Sequence, residues 1–357
     1  MERSTTARTP LNVAEPQPAD DAIPPCADAH DLRVDAVTGL AELRALHGEW
    51  QQLWRRCADA TPFQAPSWLL PWAEHFAPGQ VQALALRSEG NLCGLLPFFT
   101  VDGTLLLAGT GPSAYGDGLF AAAPERLATL ALSELCAAAV ALRCDRVDLQ
   151  QLRPASPLLT AELPAGWSDQ TEAGTPCAVA SIRGAGGLEA VSPHWRRNAR
   201  RSERLLRQDF ALEFTLGNGG DAGELERLHG LRWGAADAPH AFSDPAMHAF
   251  LFAALPLLAQ DGLLRLHKLT LDGRCAAMAF GLAAHDTLQL YMSAFDPRWS
   301  RYSTGLVTIL HAMQCAAAEG ARQLHFPRGS EGYKYHLGAS DCATHRRVLR
   351  RLGSVAA

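Results

Sequence analysis

The chain has 357 residues, of which 48% are hydrophobic, and its 32 basic and 37 acidic residues leave a net charge of -5. This size predicts two domains with a core each, and the balanced charge argues against general DNA binding. The nine cysteines are scattered without a C-x-x-C pair, which argues against a disulfide framework or zinc ribbon and favours a reducing compartment.

The chain is expected to begin with a disordered tail, placed at residues 1–29. Its first 25 residues are rich in Thr, Ala, Asp and Pro and lack an apolar run of signal-peptide length. The most apolar later runs, 127–142 and 250–258, are interrupted by polar residues or too short to cross a bilayer. We therefore expect a cytoplasmic protein without a membrane span.

Residues 30–175 are predicted to form the first domain. Apolar residues at helical spacing predict helices over 40–56 and 66–76, and a meander of three antiparallel strands follows. The strands are 81–87, 92–101 and 104–108, and after them come a glycine-rich loop (109–118), a long helix (124–142) and a closing strand (146–152). The Pro-, Ala- and Gly-rich stretch 153–175 is predicted to link the halves.

Residues 176–357 are predicted to form the second domain in nearly the same order. A short strand and a helix that opens with Ser192-Pro193 come first, because serine at the cap and proline at the first helical position favour a helix start. The remaining elements are helices 222–233 and 245–259, strands 263–271, 274–284 and 288–295, helix 304–319, and strand 322–326. This repeated order predicts two copies of one mixed α/β fold.

The start of the helix over 304–319 is the candidate anion site. Ser303 or Thr304 is predicted to cap it, and Gly320 to end it in a left-handed conformation. Free N–H groups and the helix dipole favour anions at a helix start, so a phosphorylated cofactor is expected there. The expected contacts are the amides at Ser303, Thr304, Gly305 and Leu306, with Arg298 or Arg301 reaching the phosphates. An ordinary capped helix start is the alternative.

Several motifs together resemble the CelD/BioF2-like acetyltransferase family. They are Thr61-Pro62-Phe63-Gln64 with Trp68 and Trp72, the arginine-rich helix 195–207, the stretches 269–273, 294–297 and 302–305, and Gly329, Glu331, Tyr333 and Lys334. The likeness covers roughly residues 40–345. It implies two tandem GNAT-like domains, doubled as in the Fem-type transferases, and direct transfer of an acyl group from acyl-CoA to an amine. The family's aspartate before the Arg-Gly pair is replaced here by His325.

The resemblance also implies roles for particular residues. Backbone amides near 293–295 would stabilise the oxyanion, and Tyr333 would protonate the leaving thiolate, with Tyr335 as the alternative. Candidates for the base are His325, Glu331 and Lys334, and Lys334 is expected rather to hold a carboxylate or phosphate because an exposed lysine stays protonated. A histidine merely hydrogen-bonded in the core is the competing interpretation for His325. Arg328 belongs to the same polar segment and is expected to contact substrate.

Further candidates lie outside this segment. Tyr115 and Asp117, in the glycine-rich loop of the first half, are expected to bind the acceptor. The helix after Ser192 places several arginines on one face, including Arg200 and Arg201, which suits a phosphate-rich partner such as CoA, a carboxylate acceptor or an RNA end. A solvated amphipathic face is the alternative. No metal is expected, because Cys342 and His345 lack a second pair of ligands.

The expected function is therefore N-acylation of a small-molecule amine or an amino sugar, in polysaccharide or secondary metabolism. One alternative keeps the fold and takes aminoacyl-tRNA as the donor, as in Fem-type enzymes. Another is a non-catalytic double-GNAT subunit of a complex that makes an envelope polymer.

Overall fold

A computed structural model describes residues 32–121, 123–184, 186–234 and 241–353. The tail predicted at 1–29 lies outside the described residues. Those residues form two mixed sheets, with helices on their faces. No helix in the described part of the chain is long and apolar enough to cross a membrane.

The first half contains the predicted helices and meander together with strands that sequence patterns missed. In chain order its elements are β1 (Leu32–Thr38), α1 (Gly39–Ala45), α2 (His47–Arg56), α3 (Pro66–Phe76), β2 (Gln82–Ser88), β3 (Asn91–Val101), β4 (Thr104–Leu107), β5 (Leu119–Phe120), α4 (Pro124–Ala141), β6 (Arg146–Leu152) and β7 (Trp167–Ala173). The helix predicted over 40–56 is thus two helices that meet at Leu46.

The second half contains the predicted elements in the predicted order, together with three strands and a short helix that were not predicted. Its elements are β8 (Cys177–Ser181), α5 (Pro193–Asp209), β9 (Leu212–Gly217), α6 (Ala222–Gly234), α7 (Pro245–Gln260), β10 (Leu264–Leu271), β11 (Arg274–Ala284), β12 (Thr287–Phe295), α8 (Thr304–Ala318), β13 (Gln323–Arg328), α9 (Gly332–His336), β14 (Ala339–Cys342) and β15 (His345–Arg351). The Ser192 hydroxyl caps α5 by accepting a hydrogen bond from the Trp195 amide at 3.4 Å, as predicted.

Each sheet contains one parallel pair among antiparallel neighbours. The first runs β1-β2-β3-β4-β6-β15-β7 with β5 beside β3, and the second runs β14-β8-β13-β12-β11-β10-β9. The parallel pairs are β4 with β6 and β12 with β13. The chain's last strand therefore lies in the first sheet, between β6 and β7, so the two sheets do not separate at one point in the sequence.

The stretch 153–175 is not a plain linker, because it contains β7. That strand lies at the edge of the first sheet, and all of its residues except Trp167 are exposed. An edge strand that faces water on both sides shows no hydrophobic alternation, and its sequence therefore looks like a loop.

The two halves share a continuous core. The Trp68 ring on α3 meets the Phe250 ring on α7 edge-on at 4.8 Å, and it meets Tyr291 on β12 at 5.2 Å. Trp68 and Trp72 are almost fully buried, as predicted for core aromatics. The second sheet packs its opposite face against α5 and α8. This shared core holds the loop between β4 and β5 against the carboxyl ends of β12 and β13.

Candidate functional site

The second sheet opens between β12 and β13. These parallel strands pair only at Thr287–Gln289 with Gln323–His325, and beyond that point β13 stays with β8. Opposite β11, the register of β12 shifts so that Tyr291 is an extra, bulged residue. Bulges bend a strand and are common beside active sites. The strands thus diverge toward their carboxyl ends, where open α/β sheets bind ligands.

Arg232, near the end of α6, reaches into this opening. Its Nη1 donates to the Ser293 carbonyl oxygen at 2.7 Å and lies 3.2 Å from the Ser293 hydroxyl. The N–H and C=O of one strand residue point to the same edge, so the Ser293 amide also faces the opening. This is the geometry predicted for an oxyanion donor near residues 293–295. Arg232 itself was missed, because nothing in its sequence surroundings connects it to a strand 61 residues later.

The first turn of α8 lies beside the same opening. No described residue accepts a hydrogen bond from the amides of Thr304, Gly305 or Leu306. A Cβ on Gly305 would lie 3.0 Å from Cδ1 of Phe295, so only glycine leaves the backbone uncrowded there. These free amides fit a diphosphate.

The predicted side-chain cap of α8 is wrong. Ser303 has a left-handed backbone conformation with φ 51° and makes no capping hydrogen bond, and the buried Thr304 hydroxyl has no hydrogen-bond partner among the described residues. A cap residue accepts through its side chain when its backbone is extended, which the left-handed turn at Ser303 prevents. Gly320 ends the helix with φ 93°, as predicted.

Arg298 and Arg301 are held by partners in their own chain. Arg298 forms a bidentate ion pair with Asp296, at 2.9 and 2.6 Å from one carboxylate oxygen. Burial alone would raise the pKa of Asp296, but the bonds from Arg298 hold it below its usual value. Arg301 donates to the Tyr302 hydroxyl and stacks on its ring. Contact of either arginine with a phosphate stays a prediction.

Lys334 is a buried structural cation. It is 2% exposed, and its Nζ lies 2.7 Å from the Glu331 carboxylate, 2.8 Å from the Pro327 carbonyl and 3.0 Å from the Gly329 carbonyl. With its protons donated to three oxygens, the ammonium group has no free electron pair to act as a base. Lys334 therefore fixes the turn that carries Glu331 into the opening. The expectation that Lys334 is exposed is wrong, because three oxygens of its own chain surround its ammonium group.

Tyr333 lies at the opening, half-buried against Phe326, whose ring it meets edge-on at 6.0 Å. Burial and the Glu331 carboxylate raise the pKa of Tyr333 to about 12, and the positive charge of Arg232 opposes this shift. The phenol is therefore protonated at neutral pH and can donate its proton. The alternative residue, Tyr335, is exposed and donates to Asp341 at 2.7 Å.

His325 faces away from Tyr333. Strand alternation turns its ring toward the first half, where Nδ1 lies 2.9 Å from the Tyr115 hydroxyl and Nε2 lies 2.8 Å from the Gln323 side-chain oxygen. An amide oxygen only accepts, so Nε2 carries the proton and Tyr115 donates to Nδ1. Burial and Arg153 lower the pKa of His325 to about 4. The structure therefore pairs His325 and Tyr115 with each other and brings neither to the opening.

Asp117 lies inside the first half. Its carboxylate accepts from the Ser156 hydroxyl at 3.0 Å and from the Gly118 amide at 2.9 Å. Burial raises the pKa of Asp117 to about 6, although Arg153 and these bonds oppose the shift. The neighbouring Gly116 amide donates to the Gln151 carbonyl at 3.0 Å, so the loop occupies the space beyond the β4–β6 pair.

A cavity of about 460 Å³ lies between the halves, on the α7 side of the second sheet. It is lined by Pro112 of the first half, Tyr291 and Met292 of β12, Met247 of α7, and Arg328 of β13. The Tyr291 hydroxyl donates to the Pro112 carbonyl at 3.0 Å, and Arg328 donates to the Gly111 carbonyl. Arg328 is therefore at a cavity, as its predicted substrate contact requires.

Arg200 and Arg201 are exposed on the outer face of α5. Ala199, Ser202 and Leu206 are buried on the opposite face, as the amphipathic pattern predicts. The arginines form a charged outer surface of the second half, and their predicted binding role stays a prediction.

Comparisons with a family model and with solved structures agree with the fold described above. Residues 194–335 match the family model described as an acetyltransferase (GNAT) domain. The chain is similar to a crystal structure of FemX, with 10% identity, a TM-score of 0.63, and 84% of this chain and 95% of that chain covered. None of the curated proteins matches the sequence.

Two further solved structures have the same fold. One is the C-terminal (DUF2156) domain of a putative lysylphosphatidylglycerol synthetase from Agrobacterium fabrum, at 11% identity and a TM-score of 0.58, covering 86% of this chain and 92% of that chain. The other is a conserved protein of unknown function from Bacteroides thetaiotaomicron, at 15% identity and a TM-score of 0.58, covering 90% and 100%. Residues 194–335 are thus similar to a GNAT acetyltransferase domain, and the chain shares its fold with FemX. Membership of the CelD/BioF2-like group stays a prediction.

Proposed function

We propose that this protein is an N-acyltransferase that moves an acyl group from acyl-CoA to the amine of a small molecule or amino sugar. One observation carries the proposal: β12 and β13 separate after three paired residues, and the gap is edged by unpaired amides of α8. This gap lies within the segment that matches a GNAT domain.

The residues at the opening can supply the groups that acyl transfer needs: donors for the diphosphate and for the carbonyl oxygen, and an acid for the leaving sulfur. We assign the diphosphate of the donor to the amides of Thr304, Gly305 and Leu306. The Ser293 amide would donate to the thioester carbonyl oxygen, where negative charge develops. The acceptor nitrogen bonds to the acyl carbon as the C–S bond breaks, and Tyr333 gives its proton to the departing sulfur.

Glu331 is the remaining acidic group at the opening. Burial would raise its pKa, but the ion pair with Lys334 lowers it below the usual value, so Glu331 is ionised at neutral pH. A carboxylate with a low pKa is a weak base, and we therefore assign Glu331 to attracting the acceptor's ammonium group. The ammonium group loses one proton to water before its nitrogen attacks, and the second proton, lost after attack, can return to Tyr333 through solvent.

We assign the acceptor to the cavity between the halves. Its volume of about 460 Å³ suits a small molecule, and it combines apolar walls with the guanidinium group of Arg328. Because the cavity lies on the α7 side of β12 and the helix start on the α8 side, donor and acceptor would approach from opposite faces.

All the cysteines in the described part of the chain are free, which supports a cytoplasmic location.

The test is to measure release of the free thiol of CoA from acetyl-CoA and longer acyl-CoA species, with a panel of amines and amino sugars. Acceptor-dependent release, with the acylated product seen by mass spectrometry, supports the proposal. If no acyl-CoA binds in calorimetry, and none raises the melting temperature, the proposal is wrong.

Aminoacyl-tRNA is a second candidate donor. The likeness to FemX over 84% of this chain and the exposed arginine face of α5 favour it. Stabilisation by charged tRNA but by no CoA species would select this donor. In that case, replacing Arg200 and Arg201 together by glutamate should abolish the stabilisation by tRNA.

A further inference from the structure

Three side chains of types that bind metal ions lie close together between β10 and the second half of α8, away from the first turn of α8. They are His267 of β10 and His311 and Cys315 of α8, and their donor atoms all lie within 4.8 Å of one another. The Cys315 sulfur is 3.4 Å from Nε2 of His311. No step of the proposed transfer uses these residues.

The local structure explains why the three side chains converge. Residues four apart share one face of a helix, so His311 and Cys315 both point toward the sheet. Alternate residues of a strand share one face, and His267 lies on the same face as Leu269, whose side chain is buried under α8. The ring of Phe214 stacks on His311 with centroids 4.0 Å apart and fixes the plane of its imidazole.

His267 is the most informative member of the cluster. Its side chain is buried, with only 4% of the residue exposed. Its ring contact is with His311, at 5.8 Å between centroids. The donor atom of this buried side chain lies within 4.8 Å of those of His311 and Cys315.

We propose that His267, His311 and Cys315 bind a divalent transition-metal ion, with Zn²⁺ as the best fit. Two imidazoles and one thiolate are ligands that zinc prefers, and three protein ligands leave a fourth position open. The nearby Glu203 carboxylate is bound to Arg207 at 2.7 Å and is therefore not counted as a ligand. Binding converts the Cys315 thiol to thiolate and releases its proton to solvent.

The site joins the middle of α8 to β10 and goes beyond the proposed acyl transfer. Sequence spacing alone could not reveal it, since His267 is far from the other two ligands in the chain.

The test is titration of the full chain with Co²⁺ after treatment with a chelator. We expect one Co²⁺ per chain, a thiolate-to-cobalt charge-transfer band in the near ultraviolet, and displacement of the cobalt by Zn²⁺. Absence of saturable binding at one equivalent, or saturation without the charge-transfer band, would overturn the proposal.

Variants locate the ion. Cys315→Ser should remove the charge-transfer band, and His311→Gln should weaken the Kd by more than about 100-fold, since loss of an outer-shell partner alone costs roughly 10–100-fold. Cys342→Ser is the matched control, because Cys342 is also half-buried and free but lies on β14. Circular dichroism checks that each variant folds. Binding that survives in both ligand variants, or is lost in the control, would place the ion elsewhere and refute the site.

Discussion

Replacing Gly305 by alanine tests whether the first turn of α8 seats the donor. The added Cβ would lie 3.0 Å from Cδ1 of Phe295, which must move by a few tenths of an ångström. Crowding of this kind costs about 1 kcal/mol at the low end of the measured range. Alanine in a helix gains up to about 1 kcal/mol over glycine. The two effects oppose each other, so we expect the free energy of unfolding to change by less than about 1 kcal/mol.

Binding should respond differently from stability. A diphosphate must lie against the backbone amides, and both the new methyl group and the displaced Phe295 ring would intrude on that contact. We expect the Kd for CoA to rise about tenfold or more, which corresponds to about 1.4 kcal/mol. Isothermal titration calorimetry measures the Kd, and urea unfolding measures the stability.

Gly223 provides the matched control. It is the second residue of α6, as Gly305 is of α8, and a Cβ there would meet nothing within 4 Å. Gly223→Ala should therefore keep the Kd for CoA unchanged and hold or raise the stability. If Gly305→Ala folds normally and binds CoA as tightly as wild type, the first turn of α8 is not the donor site.

Three further predictions concern the opening and the contact between the halves. Tyr333→Phe should lower turnover by about 100-fold or more while the Kd for CoA stays near normal, since a general acid contributes at least that much; unchanged turnover removes Tyr333 from the mechanism. Lys334→Met should lower the free energy of unfolding by roughly 2 kcal/mol, because it leaves two carbonyls without their donor; urea unfolding at or near wild-type stability would contradict the structural role. The pKa of His325 is lowered from 6.5 to about 4 by folding, so below pH 6.5 the unfolded chain binds a proton that the folded chain does not. The contribution of His325 to the free energy of unfolding is therefore fully present above about pH 6.5 and falls by up to roughly 3 kcal/mol as the pH drops toward 4. Asp117, with a pKa raised to about 6, changes the stability in the opposite direction over this pH range. The measurement is therefore the slope of unfolding free energy against pH, compared between wild type and His325→Gln, and the variant should lose the part due to His325. Equal slopes in the two proteins would refute the assignment.

Sequence patterns predicted the well-packed elements closely. The helix predicted over 66–76 and the strand over 274–284 have the same bounds in the structure, because each buries most of its residues and its ends are marked by Pro66 and by the turn before Arg274. Strands at sheet edges escaped prediction. In β9 and β14 no side chain is fully buried, so their sequences lack the alternation of apolar and polar residues that marks a half-buried strand.

The last strand shows a different limit. β15 is rich in arginine, yet it lies between two strands, with Val348 and Leu349 buried. Arg347 is only 4% exposed, and its charge is satisfied by Asp169 at 2.6 Å. A buried arginine that is paired through distant residues looks exposed in the sequence, because its partners are visible only after folding.

The candidate site also combines features that the sequence predicted with others that only the structure shows. The sequence by itself determined where α8 starts, because apolar residues at helical spacing mark that helix. The choice of Glu331, Tyr333 and Lys334 as site residues rests on the resemblance to a known family and stays a prediction. The sequence could not decide which way His325 faces, since alternation along a strand gives two sets of residues without saying which face each set meets.

Only the tertiary structure decided the rest. It turned His325 toward Tyr115, brought Arg232 to the Ser293 carbonyl, and placed His267 beside two side chains of α8. The physical reason is that these contacts join residues far apart in the chain. Their geometry is set by how sheets and helices pack, and no local pattern of residues encodes it.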